Sequence, residues 1–333
     1  MVAALWDSKP TTVTPEAPAE PTRTTSRKTT DADTASSLID ALRAAVGTTT
    51  DTAARLEQME AKIDALSNQE PRAIRIQIGE QQPGPAIPNA RPEVEQIVRR
   101  IICRKPHKRN VWLVGPAGSG KTTLARTVAE ALARPFGFQS FAADSTAASL
   151  IGGPNAAGIY QETAFIEAYE KGGVYLLDEI DAAPAEILVA VNAALANGHL
   201  SLPRHHDPAR RMIARHPDCI IIAAANTYGT GATAQYVGRG AIDAATLDRF
   251  AGMVFDIGYD QALELALCPD ESVRSIVTSL RHAANTHKMR RIVSTRAMEA
   301  AADMHAAGYE LAEIVEALTQ GWTAEEKAKA GCA

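Results

Sequence analysis

The chain has 333 residues and a formal net charge of −5, which is enough length for two or three domains. Its acidic balance, with an isoelectric point near 5.9, excludes a global basic field that would recruit nucleic acid. No apolar run approaches the roughly 20 residues that span a membrane, and the first ten residues lack the apolar core of a signal peptide. The four cysteines form no CxxC pair, so we expect a reduced, cytoplasmic protein.

The first 90 residues fall into three predicted segments. Residues 1–33 are rich in Thr and Pro and poor in large apolar side chains, which predicts a disordered tail. Residues 34–68 carry apolar side chains at three- and four-residue steps, which predicts an amphipathic helix or a short coiled coil. This helix serves self-association or partner binding, or else packs on its own domain. Residues 69–90 combine an alternating stretch at 72–78, typical of an edge strand, with a proline-rich linker.

From residue 91 to residue 257, apolar strands alternate with helical patterns. We expect strands at 111–114, 138–142, 174–177 and 219–224, and helices at 92–103, 121–133, 161–170 and 184–196. This alternation predicts an α/β domain with a parallel sheet between helices. After residue 258 the pattern is entirely helical, which predicts a helical C-terminal domain over residues 258–333. Its expected helices are 260–267, 270–287, 294–306 and 309–319.

The most specific signal is the run GPAGSGKT between a predicted strand and a predicted helix. Glycines let the backbone curl until successive N–H groups point at phosphate oxygens, and the helix that follows adds its positive N-terminal end. Lys121 would reach the β- and γ-phosphates of a nucleotide, and the Thr122 hydroxyl would hold Mg²⁺. The residues expected to bind the nucleotide are Gly115, Pro116, Ala117, Gly118, Ser119, Gly120, Lys121, Thr122 and Thr123.

Polar residues follow two other predicted strands. Asp178 and Glu179 directly follow the predicted strand at 174–177. Asp178 is expected to hold Mg²⁺ through water, and Glu179 to orient or deprotonate an attacking water. Asn226, after the strand at 219–224, is suited to bind the γ-phosphate and the water without competing for the metal. A capping asparagine at a strand-to-loop turn is the alternative. Ligands bind at the carboxyl ends of parallel strands, which is where these residues are predicted to lie.

Three arginines are candidates for contact with a transferred phosphoryl group. Arg249, in the run LDRF, can spread charge over the transition state. It would reach the γ-phosphate of a neighbouring subunit if the protein forms a ring. Arg239, in the run YVGR, is a second candidate for the same role. Arg296 opens a helix of the C-terminal domain, from which it would sense the nucleotide. The alternatives are a salt-bridged surface arginine at Arg249 and an ordinary first-turn arginine at Arg296.

The runs GPAGSGKT, LLDEID, AAANT, LDRF and STR, in this order, resemble those of the AAA+ ATPases. Within that superfamily residues 91–307 are most similar to the MoxR-like and cobaltochelatase-small-subunit-like branch. The resemblance implies a P-loop NTPase sheet with a helical lid, and a hexameric ring with ATP and Mg²⁺ between subunits. The implied roles are a Walker A motif at 115–122, a Walker B motif at 174–179, sensor 1 at Asn226, an arginine finger at Arg249 and sensor 2 at Arg296.

Three functions follow from this resemblance. The favoured one is an ATP-hydrolysing machine that remodels or activates a partner protein, typically one with a metal-dependent adhesion-type domain. The alternative is a nucleic-acid motor or loader of phage or mobile-element type. A scaffold that binds ATP without turnover is the third, and Glu179, Asn226 and Arg249 argue against it because such groups serve hydrolysis.

Two loops bear on the substrate. In the implied ring the loop 152–160 faces the central pore, where Ile159 and Tyr160 would grip a substrate chain, or Tyr160 packs inward. The insert 198–217 is longer than a usual helix-to-strand connection and is predicted to pair 199–202 with 211–214. It is interpreted as a partner-facing loop, as a basic patch for nucleic acid, or as a zinc site. The zinc ligands would be His205, His206, His216 and Cys219.

Overall fold

The computed structural model describes residues 73–74, 87–88 and 90–332, which belong to one compact unit from Gln69 to Ala333. The predicted tail at 1–33 and helix at 34–68 lie outside the described residues. Of the edge strand predicted at 72–78, the described part is Ala73–Ile74, which pairs antiparallel with Ile87–Pro88.

The elements alternate along the chain as the sequence predicts. The strands are β1 (Ala73–Ile74), β2 (Ile87–Pro88), β3 (Asn110–Val114), β4 (Phe136–Ser140), β5 (Gly153–Pro154), β6 (Tyr160–Gln161), β7 (Gly173–Asp178), β8 (His199–Ser201), β9 (Met212–Ala214), β10 (Cys219–Ala225) and β11 (Val254–Asp256). The helices are α1 (Pro92–Cys103), α2 (Lys121–Ala131), α3 (Ala147–Ile151), α4 (Ala164–Lys171), α5 (Ala185–Ala196), α6 (Ala244–Asp248), α7 (Gln261–Leu267), α8 (Glu271–Thr286), α9 (Thr295–Ala306), α10 (Leu311–Leu318) and α11 (Ala324–Lys329).

Five parallel strands form the central sheet in the order β11-β3-β10-β7-β4. Every residue of β3 and β10 is buried, because a parallel sheet is covered on both faces. Strand β10 lies between β3 and β7, with Ala225 opposite Val114 and Ala223 opposite Leu177. The carboxyl ends of these three strands are therefore neighbours, and the predicted α/β fold is confirmed.

Helices cover the two faces of the sheet. On one face α1 buries Val94, Ile97 and Ile101 in a core that it shares with α2. On the other face α3, α4 and α5 build a second core, which includes Phe165 and Tyr169. Each fully buried side chain of this size contributes on the order of 1.5–3 kcal/mol, so the two cores hold the strand ends in fixed positions.

Among the predicted strands of the sheet, β4 shows the largest shift in its starting residue. Strand β4 starts at Phe136 rather than at residue 138, because it is aligned by its pairing with β7. Ser140 lies opposite Asp178, and the next residue, Phe141, follows the end of the strand and is buried in the core. Tertiary pairing, rather than local apolar content, therefore sets the bounds of this strand.

The helices after residue 260 pack around a core of their own, with Val277, Leu280, Met298 and Ile314 at its centre. Four of them match the predicted helices within two residues at each end. The fifth, α11, was not predicted, because its sequence AEEKAK has no apolar periodicity. No helix among the described residues combines the length and the apolar content needed to cross a bilayer.

Candidate active site

The loop between β3 and α2 curls tightly at the carboxyl end of the sheet. Gly118 and Gly120 have φ angles of 73° and 83°, which glycine adopts without a steric penalty. A Cβ on Gly115 would collide with the carbonyl oxygen of Ile257, so a side chain has no room there. The loop runs directly into the N-terminus of α2, where free backbone N–H groups and the helix dipole favour an anion.

Lys121 is the first residue of α2 and is buried. Its Nζ donates to the carbonyl oxygens of Gly115 at 2.8 Å and Pro116 at 3.0 Å, and to Oδ1 of Asn226 at 2.9 Å. Burial lowers the pKa of Lys121 from 10.5 to about 8, while nearby carboxylates, Asp178 foremost, oppose the shift. A bound phosphate would add negative charge here and favour the protonated lysine.

Side-chain oxygens of Thr122 and Asp178, which could bind a metal ion, lie close together where β7 ends. The Thr122 hydroxyl donates to Oδ2 of Asp178 at 2.7 Å, and the backbone N–H of Glu179 donates to Oδ1 of Asp178 at 3.0 Å. Mg²⁺ prefers such hard oxygen ligands and keeps several of its waters. In the adjoining loop, Oγ of Ser119 is buried without a hydrogen-bond partner among the described residues, and a ligand could supply one. The residues present therefore fit a magnesium nucleotide.

A buried carboxylate, Asp181, links the ends of β7 and β10. Its Oδ2 accepts from the backbone N–H groups of Asn226 and Thr227, both at 3.1 Å, and from Oγ1 of Thr227 at 3.0 Å. Its Oδ1 lies 3.2 Å from Nη1 of Arg239, which is also 3.6 Å from Oε2 of Glu179. Asp181 therefore fixes the backbone that carries Asn226, while the side chain of Glu179 is 47% exposed.

The loop and the strand ends enclose a cavity of about 270 Å³. Residues of α7 and α9 complete its walls, and the predicted site residues outside the loop that line it are Asp178, Glu179, Asn226 and Arg296. A Cβ on Gly118 would lie 2.6 Å from Cβ of Ser294, the N-cap of α9. The helical part therefore touches the loop directly and presents a second helix N-terminus to the cavity.

Arg249 lies outside this cavity. Its side chain is exposed, and Nε donates to Oδ1 of Asn192 at 3.4 Å. The structure thus brings together the predicted loop residues, both acids of the β7 end, Asn226 and Arg296, and it places Arg249 apart from them.

Residues 110–250 match the family described as "AAA domain (dynein-related subfamily)". This segment therefore resembles an AAA domain, and we call it the AAA domain below on the basis of that resemblance. The match begins with β3 and includes the glycine-rich loop, the β7 end, Asn226 and Arg249, but it stops before the helical part.

Two relatives of this segment are much longer proteins. Midasin of Dictyostelium discoideum is 27% identical over 186 residues, which is 54% of this chain and 3% of midasin. The von Willebrand factor A domain-containing protein 8 of Mus musculus is 27% identical over 132 residues, 36% of this chain and 7% of that protein. The chain therefore spans a small fraction of the length of these curated relatives. A solved structure of NtrX from Brucella abortus in complex with ATP is 16% identical, with a TM-score of 0.42, over 84% of this chain and 56% of that one.

Sequence reasoning missed four residues at the site of the AAA domain, namely Arg91, Asp181, Tyr236 and Tyr259. The backbone N–H of Ala117 donates to Oη of Tyr236 at 2.9 Å, and Oη of Tyr259 donates to the Ala117 carbonyl at 3.1 Å. Nη1 of Arg91 donates to the Ser119 carbonyl at 2.6 Å. Asp181 was visible in the acidic run after β7, whereas the other three come from segments without a periodic pattern.

The β5–β6 hairpin of the AAA domain settles the orientation of Tyr160. Its side chain is 6% exposed, its Oη donates to the Ile151 carbonyl at 2.5 Å, and its ring lies 4.6 Å from that of His205. Ile159 is 55% exposed. The inward alternative is therefore correct for Tyr160, and of the predicted pair Ile159 is the residue available for contact with another molecule.

The insert forms the predicted hairpin, in which β8 pairs antiparallel with β9. Most of its arginines are held by acceptors of the AAA domain itself. Arg210 pairs with Glu162 at 2.7 Å and Glu170 at 2.8 Å, Nε of Arg211 donates to the His205 carbonyl, and Arg215 is buried. Arg204 is exposed, so the insert is less basic at its surface than its sequence indicates.

Among the described residues, the four predicted zinc ligands do not form a metal site. His205 is buried between Tyr160 and His206, while Cys219 lies inside β10. Within the described part of the chain, no group of three or more His, Cys, Asp and Glu side chains is arranged to hold a metal ion. The zinc interpretation of the insert therefore has no structural support.

Proposed function

We propose that the AAA domain binds ATP with Mg²⁺ and hydrolyses it. The convergence of Lys121, Thr122, Asp178 and Asn226 on one cavity supports this most strongly, because each is at hydrogen-bonding distance from another member of the group. Helix N-termini from α2 and α9 face the same space, and both favour phosphate oxygens.

The proposed roles follow from the chemistry of each side chain. Lys121 pairs with the β- and γ-phosphates, while Thr122 and Asp178 hold Mg²⁺, which neutralises charge on the phosphoryl group when bound. Glu179, exposed beside them, orients the attacking water and accepts its proton. Asn226 holds the γ-phosphate and the water, and Arg296 contacts the nucleotide from α9.

We propose that Arg249 completes the site of a neighbouring subunit, in a ring that we expect to be a hexamer. Two features support this. Arg249 is exposed and lies outside the cavity of its own chain, and a guanidinium keeps its charge at any physiological pH. An arginine supplied from a neighbour can stabilise the transferred phosphoryl group in this way.

We propose further that the ring is of MoxR-like type and remodels or activates a partner protein. One relative is named for a von Willebrand factor A domain, which supports a partner of the metal-dependent adhesion type. The internal pairing of Arg210, Arg211 and Arg215 counts against the nucleic-acid motor, because it leaves few free cations in the insert. Four free cysteines support a reducing, cytoplasmic setting.

Phosphate release from ATP and Mg²⁺ by the purified protein tests the first proposal. Turnover by the wild type, and its loss together with ATP binding in Lys121→Ala, is the expected result. A wild type without turnover, or Lys121→Ala with wild-type affinity for ATP, contradicts it.

The partner is tested by isolating the Glu179→Gln protein with ATP and identifying what remains bound. A protein with an adhesion-type domain supports the remodelling function, whereas nucleic acid in its place supports the motor. The mass of the same complex in solution gives the number of subunits, and a monomer with ATP bound contradicts the ring.

A further inference from the structure

Residues 235–239 contact two parts of the cavity wall, the phosphate-binding loop and the end of β7. At one end Oη of Tyr236 accepts from the N–H of Ala117 in the phosphate-binding loop at 2.9 Å. At the other end Nη1 of Arg239 lies 3.2 Å from Oδ1 of Asp181 and 3.6 Å from Oε2 of Glu179. Only two residues, Val237 and Gly238, therefore separate the residue that contacts the loop from the residue that contacts the proposed base.

Arg239 forms ion pairs with carboxylates of its own chain. Its side chain is 13% exposed, and that of Asp181 is fully buried. Removal of a cation from a buried carboxylate leaves an uncompensated charge, which is strongly unfavourable. Movement of Arg239 to a neighbouring subunit would therefore be energetically unfavourable. The exposed Arg249 makes a long hydrogen bond to Asn192 and leaves no buried carboxylate unpaired if it moves.

Asp181 makes a firm anchor for this arginine. Its other oxygen is held by three donors of the β10 end, and its backbone carbonyl accepts from the N–H of Gly240 at 2.8 Å, next to Arg239. Glu179, in contrast, is half exposed and sits in the left-handed region, with φ 54°. An exposed glutamate has several rotamers, and a fixed guanidinium at 3.6 Å favours those that face it.

We propose that Arg239 is a positioning residue that orients the Glu179 carboxylate within the same subunit, and that Tyr236 ties this arrangement to the phosphate-binding loop. The inference rests on the proposed hydrolysis of ATP. It assigns Arg239 a role in cis and leaves the contact with a neighbour's nucleotide to Arg249. The reacting atoms are touched by Glu179, and Arg239 acts through it.

The steady-state kinetics of Arg239→Ala and Arg239→Lys provide the first test. Because a misdirected base slows the chemical step without removing a nucleotide contact, we expect kcat to fall about tenfold in Arg239→Ala. The KM for ATP should stay within about twofold of the wild type, and Arg239→Lys should recover part of the lost rate. The control is Arg204→Ala, an exposed arginine of the insert, which should match the wild type. A raised KM with unchanged kcat, or no recovery by lysine, overturns the proposal.

Tyr236→Phe keeps the test falsifiable if Arg239→Ala fails to fold. It removes the hydroxyl that accepts from Ala117, and we expect a smaller loss of kcat in the same direction. Tyr228→Phe is its matched control, because Tyr228 is an exposed phenol of the same region that bonds to Asp256. Equal kinetics of the two phenylalanine variants contradict the role of Tyr236.

Mixed assemblies show whether Arg239 and Glu179 act within one subunit or across two neighbouring subunits. When Arg239→Ala subunits are mixed with Glu179→Gln subunits, every site lacks one of the two groups if they act in the same subunit, so turnover should not rise above the residual rate of the Arg239→Ala subunits. The mixture of Arg249→Ala with Glu179→Gln should regain turnover, because some interfaces combine an intact base with a neighbour's Arg249.

Each outcome of the mixing experiment has a distinct meaning. Turnover restored in the Arg239 mixture overturns the proposal. No restoration in the Arg249 mixture contradicts the shared site, and the kinetics of Arg239→Ala then decide the role of Arg239. A wild type that does not hydrolyse ATP rejects the proposed function and this inference together.

Discussion

At the scale of single residues, Lys121 shows how the site balances charge. Burial favours its neutral form, and three acceptors with nearby carboxylates restore part of the stability of the cation. The glycine-rich run predicted this lysine and its place at the start of α2. Its hydrogen bond to Asn226 was not predictable, because Lys121 follows β3 and Asn226 follows β10, and the sequence does not specify which strands are neighbours in the sheet.

ATP binding should therefore be coupled to proton uptake. With a pKa of about 8 in the free protein, Lys121 is about half protonated at pH 8, and a bound triphosphate would complete its protonation. We expect uptake of about half a proton at pH 8 and close to none at pH 6.5. The affinity for ATP should accordingly fall as pH rises above 8.

Titration calorimetry in buffers of different ionisation enthalpy measures this uptake directly. Binding with no proton uptake at pH 8, or an affinity that is constant from pH 7 to pH 9, would show that the lysine is fully charged without nucleotide.

Gly118 offers a second prediction at this scale. In Gly118→Ala the new methyl group takes a left-handed φ that costs about 1–2 kcal/mol and meets Ser294 at 2.6 Å. We expect at least a tenfold loss of ATP affinity, because α9 or the loop must move. The control is Gly158→Ala, which has φ 77° but no atom within 4 Å of the new Cβ. Similar ATP affinities of the two variants would mean that the contact with Ser294 is unimportant.

At the scale of elements, one buried ion pair joins three helices beside the cavity. Glu264 of α7 is bound by Arg281 of α8 through two contacts of 2.6 Å and 3.0 Å, and by the hydroxyl of Thr295 of α9 at 2.9 Å. The Arg281 guanidinium also lies 4.0 Å from the ring centre of Tyr259, whose hydroxyl reaches the phosphate-binding loop. This network holds the N-terminus of α9, and with it Arg296, at the cavity.

Arg281→Ala should destabilise the protein and weaken nucleotide binding together. It leaves the Glu264 carboxylate buried without its cation, which typically costs about 3–5 kcal/mol. The matched control is Lys171→Ala, which breaks the exposed pair with Glu167 and should cost about 0.5 kcal/mol or less. Chemical denaturation gives both values, and equal losses in the two variants would refute the importance of the network.

Helices α7, α8 and α9 were predictable from apolar periodicity, but the ion pair and hydrogen bond that join them were not. Arg281 and Glu264 lie 17 residues apart in sequence, and nothing in that spacing marks them as partners. The insert illustrates the same limit. Arg210 indicated a basic surface in the sequence, but the fold pairs it with Glu162 and Glu170, which lie 40 or more residues earlier in the chain.

At the scale of the whole molecule, the fold explains why the site forms. Strand β10 lies between β3 and β7, so three segments distant in sequence end side by side. The sequence predicted the parallel sheet and the residue types at the strand ends, because buried strands and glycine-rich loops have local signatures. It left the choice between Arg239 and Arg249 open, since their difference in burial and partners exists only in three dimensions.

The central claim is that this site hydrolyses ATP with Glu179 as the base. Its most direct test is to measure ATP binding and phosphate release by Glu179→Gln beside the wild type. The amide keeps the size of the side chain but cannot take a proton, so release should slow by a factor of about 10² or more while ATP affinity stays near that of the wild type. Phosphate release by Glu179→Gln at the wild-type rate would contradict the account.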